Sequence, residues 1–239
     1  MRSLQQRLRR LYKGVRILAA LPANILHMLV NHFPGPIGPI LRYWVWKPQL
    51  KFLGKGVRIE EGVYFQNPQS ISIDDNAWID RGVIIMGGPD RSKRQRRLLP
   101  NADFPLEKGQ VYIGKRVHIA PQSIISGIGG VYISDDCGLS SGFKAYSFSH
   151  HFRSDDDPSD RSVQFNPLID HSKQYMIEGA IFLGANVGVA LNVVVLPGVS
   201  IGKDSFVTMS SVVTSSFKEN SLLSGTPARR VKNRYRDPE

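Results

Sequence analysis

Six histidines and a single cysteine hold most of the acid–base and nucleophilic potential of this 239-residue chain. Two of the histidines, His150 and His151, stand side by side in YSFSHHFRSD, Tyr146 to Asp155. An imidazole ionises near neutral pH, so either could remove a proton from an attacking hydroxyl. A metal centre needs three or four ligands at recurring spacings. The only His-x4-His pair is His27 and His32, and no third ligand accompanies it. No metal is therefore expected, and a zinc-dependent hydratase of the γ carbonic anhydrase type is a poor fit. The lone Cys137 excludes an intramolecular disulfide and any multi-cysteine zinc site, which suits a reducing cytoplasm.

The elements that must position these groups follow from a repeat. Aliphatic residues return every six positions at Leu183, Val189, Val195, Ile201, Val207 and Val213, with Ile177 one step before. The same step joins Leu53, Ile59 and Phe65, then Ile73, Ile79 and Ile85, then Ile113, Ile119 and Ile125, then Ile133, Leu139 and Ala145. The fifth position of each block is small or β-branched, and Cys137 occupies one such slot, where a buried filler is the natural reading. A six-residue period fits neither a helix nor a meander. With alternation along each strand it predicts short strands separated by corners, a three-sided β-solenoid whose coils stack their aliphatic ladders. Between Phe65 and Ile73, and between Ile125 and Ile133, the step lengthens to eight, so one corner carries two extra residues in both coils. Gly54, Gly62, Gly82, Gly114, Gly184, Gly198 and Gly202 fall near corners, where backbone freedom is useful.

Two excursions interrupt the coil, residues 86–112 and 148–176, and long departures from a compact repeat are commonly functional. Register separates the paired histidines. Counted from Ala145, His151 would enter the inward ladder, where an unpaired imidazole is costly, while His150 falls at an outward corner where the chain departs. His150 is thus the first-choice base and His151 the second. His118 takes an outward corner position on a different side and reads as a surface histidine. His171 reads as solvated, and His27 and His32 as structural or interfacial.

LGANVGVALNVVVLPGVSIGKDSFVTMSSVVT followed by SGTPARRVK resembles the left-handed β-helix hexapeptide acyltransferases, in the branch of maltose, galactoside and polysaccharide O-acetyltransferases and xenobiotic acetyltransferases. The likeness spans roughly residues 50 to 233. It implies an all-β fold, a left-handed parallel β-helix, here with an N-terminal helical extension. It also implies acetyl-CoA as co-substrate, a saccharide acceptor and a homotrimer with sites between subunits. The family's base sits at the start of the long loop, in a Thr-x-Thr-His-Pro-Leu-like segment that Ser147-Phe148-Ser149-His150-His151-Phe152 matches at His150. Acetyl-CoA contacts carry over to Leu191, Met209, Thr214, Arg229 and Lys232. The chain departs from the pattern at Leu191 and Met209, where smaller residues are usual, at Ser215, where lysine often follows the threonine, and near Met86 and Gly87, which lack the asparagine of galactoside-type enzymes. The implied activity is O-acetylation of a sugar hydroxyl in surface polysaccharide or lipid-linked glycan synthesis. Aminosugar N-acetylation, xenobiotic acetylation and a non-catalytic scaffold are the competing readings.

The organisation expected is a helical, basic extension over 1–49, the β-helix over 50–216 and a basic segment over 217–239. A net charge of +11 is concentrated at the two ends and in Arg91–Arg97. No nucleic-acid-binding motif accompanies these runs, so no nucleic-acid partner is expected. No apolar stretch reaches membrane-spanning length and no secretory signal is recognisable. Leu4, Leu8, Leu11, Val15 and Leu18 recur at helical spacing among cations, so residues 1–20 suggest peripheral contact with the inner face of the membrane. Packing on the coil or across a trimer is the alternative for that segment.

Overall fold

The structure is a computed structural model that describes residues 25–92 and 94–236. Three parallel sheets form the sides of a prism. The first face stacks Phe52–Leu53, Ile71–Ile73, Val111–Ile113, Val131–Ile133, Ile181–Leu183 and Ser200–Ile201. The second stacks Arg58–Ile59, Trp78–Ile79, His118–Ile119, Gly138–Leu139, Gly188–Val189, Phe206–Val207 and Ser221–Gly225, with Ala228–Asn233 added antiparallel at its end. The third stacks Tyr64–Gln66, Ile84–Met86, Ile124–Ser126, Lys144–Tyr146, Val194–Val195 and Val212–Val213. Registers join like positions of successive coils, Ile73 to Ile113, Ile119 to Leu139 and Ala145 to Val195. The ladder residues on all three faces are buried, so each coil closes the core of the one before it.

Corners turn because one residue in each adopts left-handed φ. Between the first and second faces that residue is Gly56, Asn76, Arg116, Asp136, Asn186, Asp204 or Asn220, at φ of 55 to 68°. Asn and Asp tolerate this conformation better than other non-glycine residues. The corner glycines divide into two groups. Gly62, Gly82 and Gly198 have positive φ, as expected. Gly54, Gly114, Gly184 and Gly202 do not; a Cβ there would lie 2.3 to 2.6 Å from the Asp75, Asp135, Lys203 or Glu219 corner of the next coil. Their requirement is room for stacking.

Ile177 does not join the ladder. It lies in the strand Tyr175–Glu178 outside the prism, and the core resumes at Ile181 and Leu183. The coil also runs past residue 216: Phe217 bridges Ile201, and Ser221–Gly225 pairs with Phe206–Val207 before the closing hairpin. At the other end, residues 25–31 are helical and the Pro/Gly run after them leads into a second helix, Ile37–Trp46. Arg42 secures this second helix to the first coil. Its guanidinium is 2 % exposed and donates to the carbonyls of Ile59 (2.8 Å), Val30 (3.2 Å) and Phe33 (3.0 Å). The segment 1–20 lies outside the described residues.

Candidate active site

Both excursions leave the edge between the third and first faces, and they dock on each other. Phe148–His150 pairs antiparallel with Tyr175–Glu178, which pairs parallel with Gln95–Leu98 from the earlier excursion. The result is a small three-stranded sheet standing off the prism. The ladder ends at Ala145, and Ser147 anchors the departure: its hydroxyl donates to the Ser126 carbonyl at 2.6 Å and accepts from the Gly129 amide at 2.9 Å. His150 is therefore the last residue of a strand in this side sheet, not an outward corner of the coil.

An ion cluster, buried at Glu178 and exposed at Lys108, holds the two excursions together. Glu178, 4 % exposed, accepts from Arg96 at 2.8 Å and lies 2.5 Å from the Lys108 ammonium. Arg96 also reaches Asp90 at 3.2 Å and the Ser92 carbonyl at 2.7 Å, and lies over the Phe148 ring. Two carboxylates and two cations balance, so no charge is left uncompensated. Burial opposes ionisation of Asp90, but bonds from the Ser92 hydroxyl and amide and the nearby Arg94 and Arg96 hold its pKa below the ordinary carboxylate value. Arg97 pairs with Asp155 at 3.2 Å. The basic run at 91–97 thus serves in part as an internal strap. Leu99 and Asn101 continue it along the edge, Asn101 bonding the Ala180 carbonyl and the Ser200 hydroxyl, each at 2.8 Å.

His150 is half-buried. Its Nε2 lies 3.3 Å from Oε1 of Gln174, a fully buried side chain whose own Nε2 donates to the Ile169 carbonyl at 2.8 Å. That second bond sets the orientation of the Gln174 amide. The oxygen faces the ring and can only accept, so the neutral imidazole carries its proton on Nε2 and leaves Nδ1 with a free lone pair. Phe165 lies against the same ring, with centroids 5.4 Å apart.

His151 turns away from the ladder, as its register requires. Its amide donates to the Tyr175 carbonyl at 2.8 Å, and its Nε2 lies 3.4 Å from Asp155, with only 16 % of the side chain exposed. It supports the loop from within. His118 sits on the second face within the strand His118–Ile119 rather than at a corner, against Trp78 at 4.7 Å and 3.5 Å from Asp80. His171 is exposed beside Arg94, His27 packs on Trp46, and His32 lies 3.9 Å from Glu61. Cys137 is buried in its small slot, and burial pushes its thiol up to about 12, so it is no nucleophile. Among the described residues no group of three His, Cys, Asp or Glu side chains could hold a metal ion.

The positions carried over for the acyl donor do not converge with His150 within one chain. Thr214 follows Val213 and lies, by register, on the same edge as Tyr146, from which the strand bearing His150 departs. Leu191 and Met209 are exposed at the opposite edge of the third face. Leu191 lines a groove of about 430 Å³ over Gly138 and Gly188, walled by His118, Phe206 and Arg234. Arg229 and Lys232 are exposed on the terminal hairpin, opposite Ser224 and Leu222.

No protein-family model matches the chain. The chain is 25 % identical over 184 residues to the dTDP-4-amino-4,6-dideoxy-D-glucose acyltransferase of Escherichia coli, covering 77 % of this chain and 82 % of that protein. It is 28 % identical over 125 residues to WbbJ of Escherichia coli K12, a putative lipopolysaccharide biosynthesis O-acetyl transferase, covering 52 % of this chain and 61 % of that one. The chain is thus similar to sugar acyltransferases over most of its length. Solved structures agree on the fold. AntD, an N-acyltransferase from Bacillus cereus in complex with dTDP and 3-hydroxybutyryl-CoA, superposes with a TM-score of 0.63 at 22 % identity, over 81 % of this chain and 88 % of that one. A hexapeptide-repeat acetyltransferase from Vibrio cholerae in complex with acetyl-CoA gives 0.54 at 18 % identity, over 88 % and 84 %. The left-handed parallel β-helix that the resemblance implies is the fold of these neighbours.

Sequence reasoning missed Gln174, Phe165 and the ion cluster. Gln174 lies 24 positions from His150, and nothing in its neighbourhood marks it as buried. Arg96 looks like one more member of a solvated basic run. The cue available was that both excursions start at the same corner, which forces them to be neighbours.

Proposed function

We propose that this acyltransferase moves an acetyl group from acetyl-CoA to a hydroxyl of a nucleotide- or lipid-linked sugar, with His150 as the general base. The observation that carries this reading is the Gln174 amide, which pins the His150 ring and leaves Nδ1 free to act. Nδ1 takes the proton of the acceptor hydroxyl as its oxygen attacks the thioester carbonyl. The tetrahedral intermediate collapses with cleavage of the C–S bond, and the imidazolium returns the proton to the departing CoA thiolate. No covalent acyl-enzyme forms. The WbbJ likeness supports a hydroxyl acceptor.

The longer match to the E. coli aminosugar acyltransferase favours a second reading, in which the acceptor is the amine of a dTDP-linked 4-amino-4,6-dideoxy sugar. In a homotrimer, which we propose from the sequence resemblance, Leu191, Met209, Thr214, Arg229 and Lys232 of one subunit could face His150 of the next and line the CoA groove.

The test is release of free CoA with hydroxyl and amino sugar nucleotides as alternative acceptors. His150→Ala is expected to lower kcat by about 10²- to 10⁴-fold, the usual contribution of a positioned base, while CoA still binds in calorimetry. His151→Ala should retain most activity. Full turnover by His150→Ala would rule out the mechanism, and the acceptor preference of the wild-type protein decides between oxygen and nitrogen.

A further inference from the structure

The end of the prism capped by the helices at 25–31 and Ile37–Trp46 presents apolar side chains that the described residues leave exposed. Ile25, Leu26, Met28 and Leu29 of the helical residues 25–31 are 46 to 58 % exposed, and Phe33 in the connection is 43 % exposed. On the helix Ile37–Trp46, Ile37, Ile40 and Trp44 are 57 to 64 % exposed. Their spacing of three and four puts them on one stripe, opposite the buried Gly38 and Arg42. Single exposed apolar residues are ordinary, but eight between residues 25 and 44, on the two helices at one end of the prism, ask for a partner.

Charge identifies the partner. The first 59 residues contain eleven lysines and arginines and no aspartate or glutamate. Lys47 lies 5.2 Å from the Trp44 ring centroid, at the margin of the apolar stripe. Lys55 and Arg58 border a mostly apolar cleft of about 330 Å³ shared with Ile40 and Tyr43. Apolar side chains and a tryptophan ringed by cations match the boundary between acyl chains and anionic headgroups. A second copy would bring the same cations against these, and so would the chain's own residues 1–24, which hold six of the eleven; like charges oppose both arrangements. An anionic bilayer accepts both segments together.

We propose that the face formed by Ile25–Phe33 and the Ile37–Trp46 stripe docks the protein peripherally on an anionic lipid surface, with the solenoid axis leading from the membrane toward the side sheet that carries His150. None of the described helices is long and apolar enough to span the bilayer. Docking is independent of the acyl-transfer reading, because these residues lie coils away from His150.

The experiment is co-sedimentation of the full chain with phosphatidylcholine vesicles containing roughly one-third phosphatidylglycerol, against phosphatidylcholine alone. Wild type is expected to bind the anionic vesicles, with Trp44 fluorescence quenched by brominated acyl chains and unquenched in Trp44→Phe. Ile40→Asp/Trp44→Asp, and separately Leu29→Asp, should weaken binding at least about tenfold while circular dichroism and turnover of a soluble acceptor stay unchanged. Undiminished binding by both variants would overturn the proposal. So would loss of binding only on deletion of residues 1–24, or a change of oligomeric state in the aspartate variants without lipid, which would make this face an interface between copies.

Discussion

His150 and His151 differ by one position and have unlike surroundings. His150 is held by an amide that can only accept at its ring nitrogen, so its tautomer is set before substrate arrives; His151 is held by a carboxylate and a backbone carbonyl inside the loop. In the proposed mechanism Gln174 is accordingly a positioning residue. Gln174→Leu removes the acceptor and should shift the imidazole toward a mixture of tautomers, visible in the ¹⁵N spectrum of the selectively labelled protein. It should also lower kcat by about 10- to 100-fold with little change in KM, since a wrong tautomer abolishes base function while leaving binding intact. Gln174→Glu keeps the acceptor and should restore the Nε2–H form. An unchanged ¹⁵N pattern in the leucine variant would mean that the ring is oriented by other contacts.

At the scale of elements, the side sheet is held by the ion cluster together with the buried Phe148, Tyr175 and Met176. Removing Arg96 leaves the Asp90 and Glu178 carboxylates with only the half-exposed Lys108 as counter-charge, so Arg96→Met should cost about 3 kcal/mol of local stability. That loss should appear as faster hydrogen exchange in Gln95–Leu98 and Tyr175–Glu178, with the prism strands protected as before. Asp90 gives the pH dependence its sign. Its folded pKa lies below the unfolded one, so its contribution is complete above the unfolded value, near 3.8, and is lost as pH falls through the folded value. The side sheet should therefore loosen at strongly acidic pH while staying intact between pH 5 and 8, and Asp90→Asn should remove that part of the acid response. Equal acid sensitivity in wild type and Asp90→Asn would assign the response elsewhere.

For the whole molecule, stability propagates along the stack because each coil is the neighbour of two others. A ladder truncation such as Ile133→Ala should cost about 2 to 4 kcal/mol, read as a lower midpoint in urea unfolding. The same truncation at Leu223, beside the terminal hairpin, should cost less, because fewer coils lie beyond it. Sedimentation should give a mass three times that of the 26.7 kDa chain if the proposed trimer forms, and a monomer would remove the inter-subunit arrangement of the acyl-donor site.

The periodicity of the sequence was enough to find the solenoid, the lengthened corner and both excursions, because a six-residue repeat is a local property written once per strand. It also placed Cys137 in the core and kept His151 out of the ladder, since register follows from counting. Corner glycines were found, but only the folded coil separates those needed for positive φ from those needed for room. The docking of the two excursions, the Gln174 contact, the Arg96–Glu178 cluster and the Arg42 staple each join residues far apart in the chain whose types are ordinary on a surface. No local pattern records such pairs. Which ring nitrogen of the proposed base His150 is left free follows from a glutamine 24 residues away, brought to it only by the folded loop.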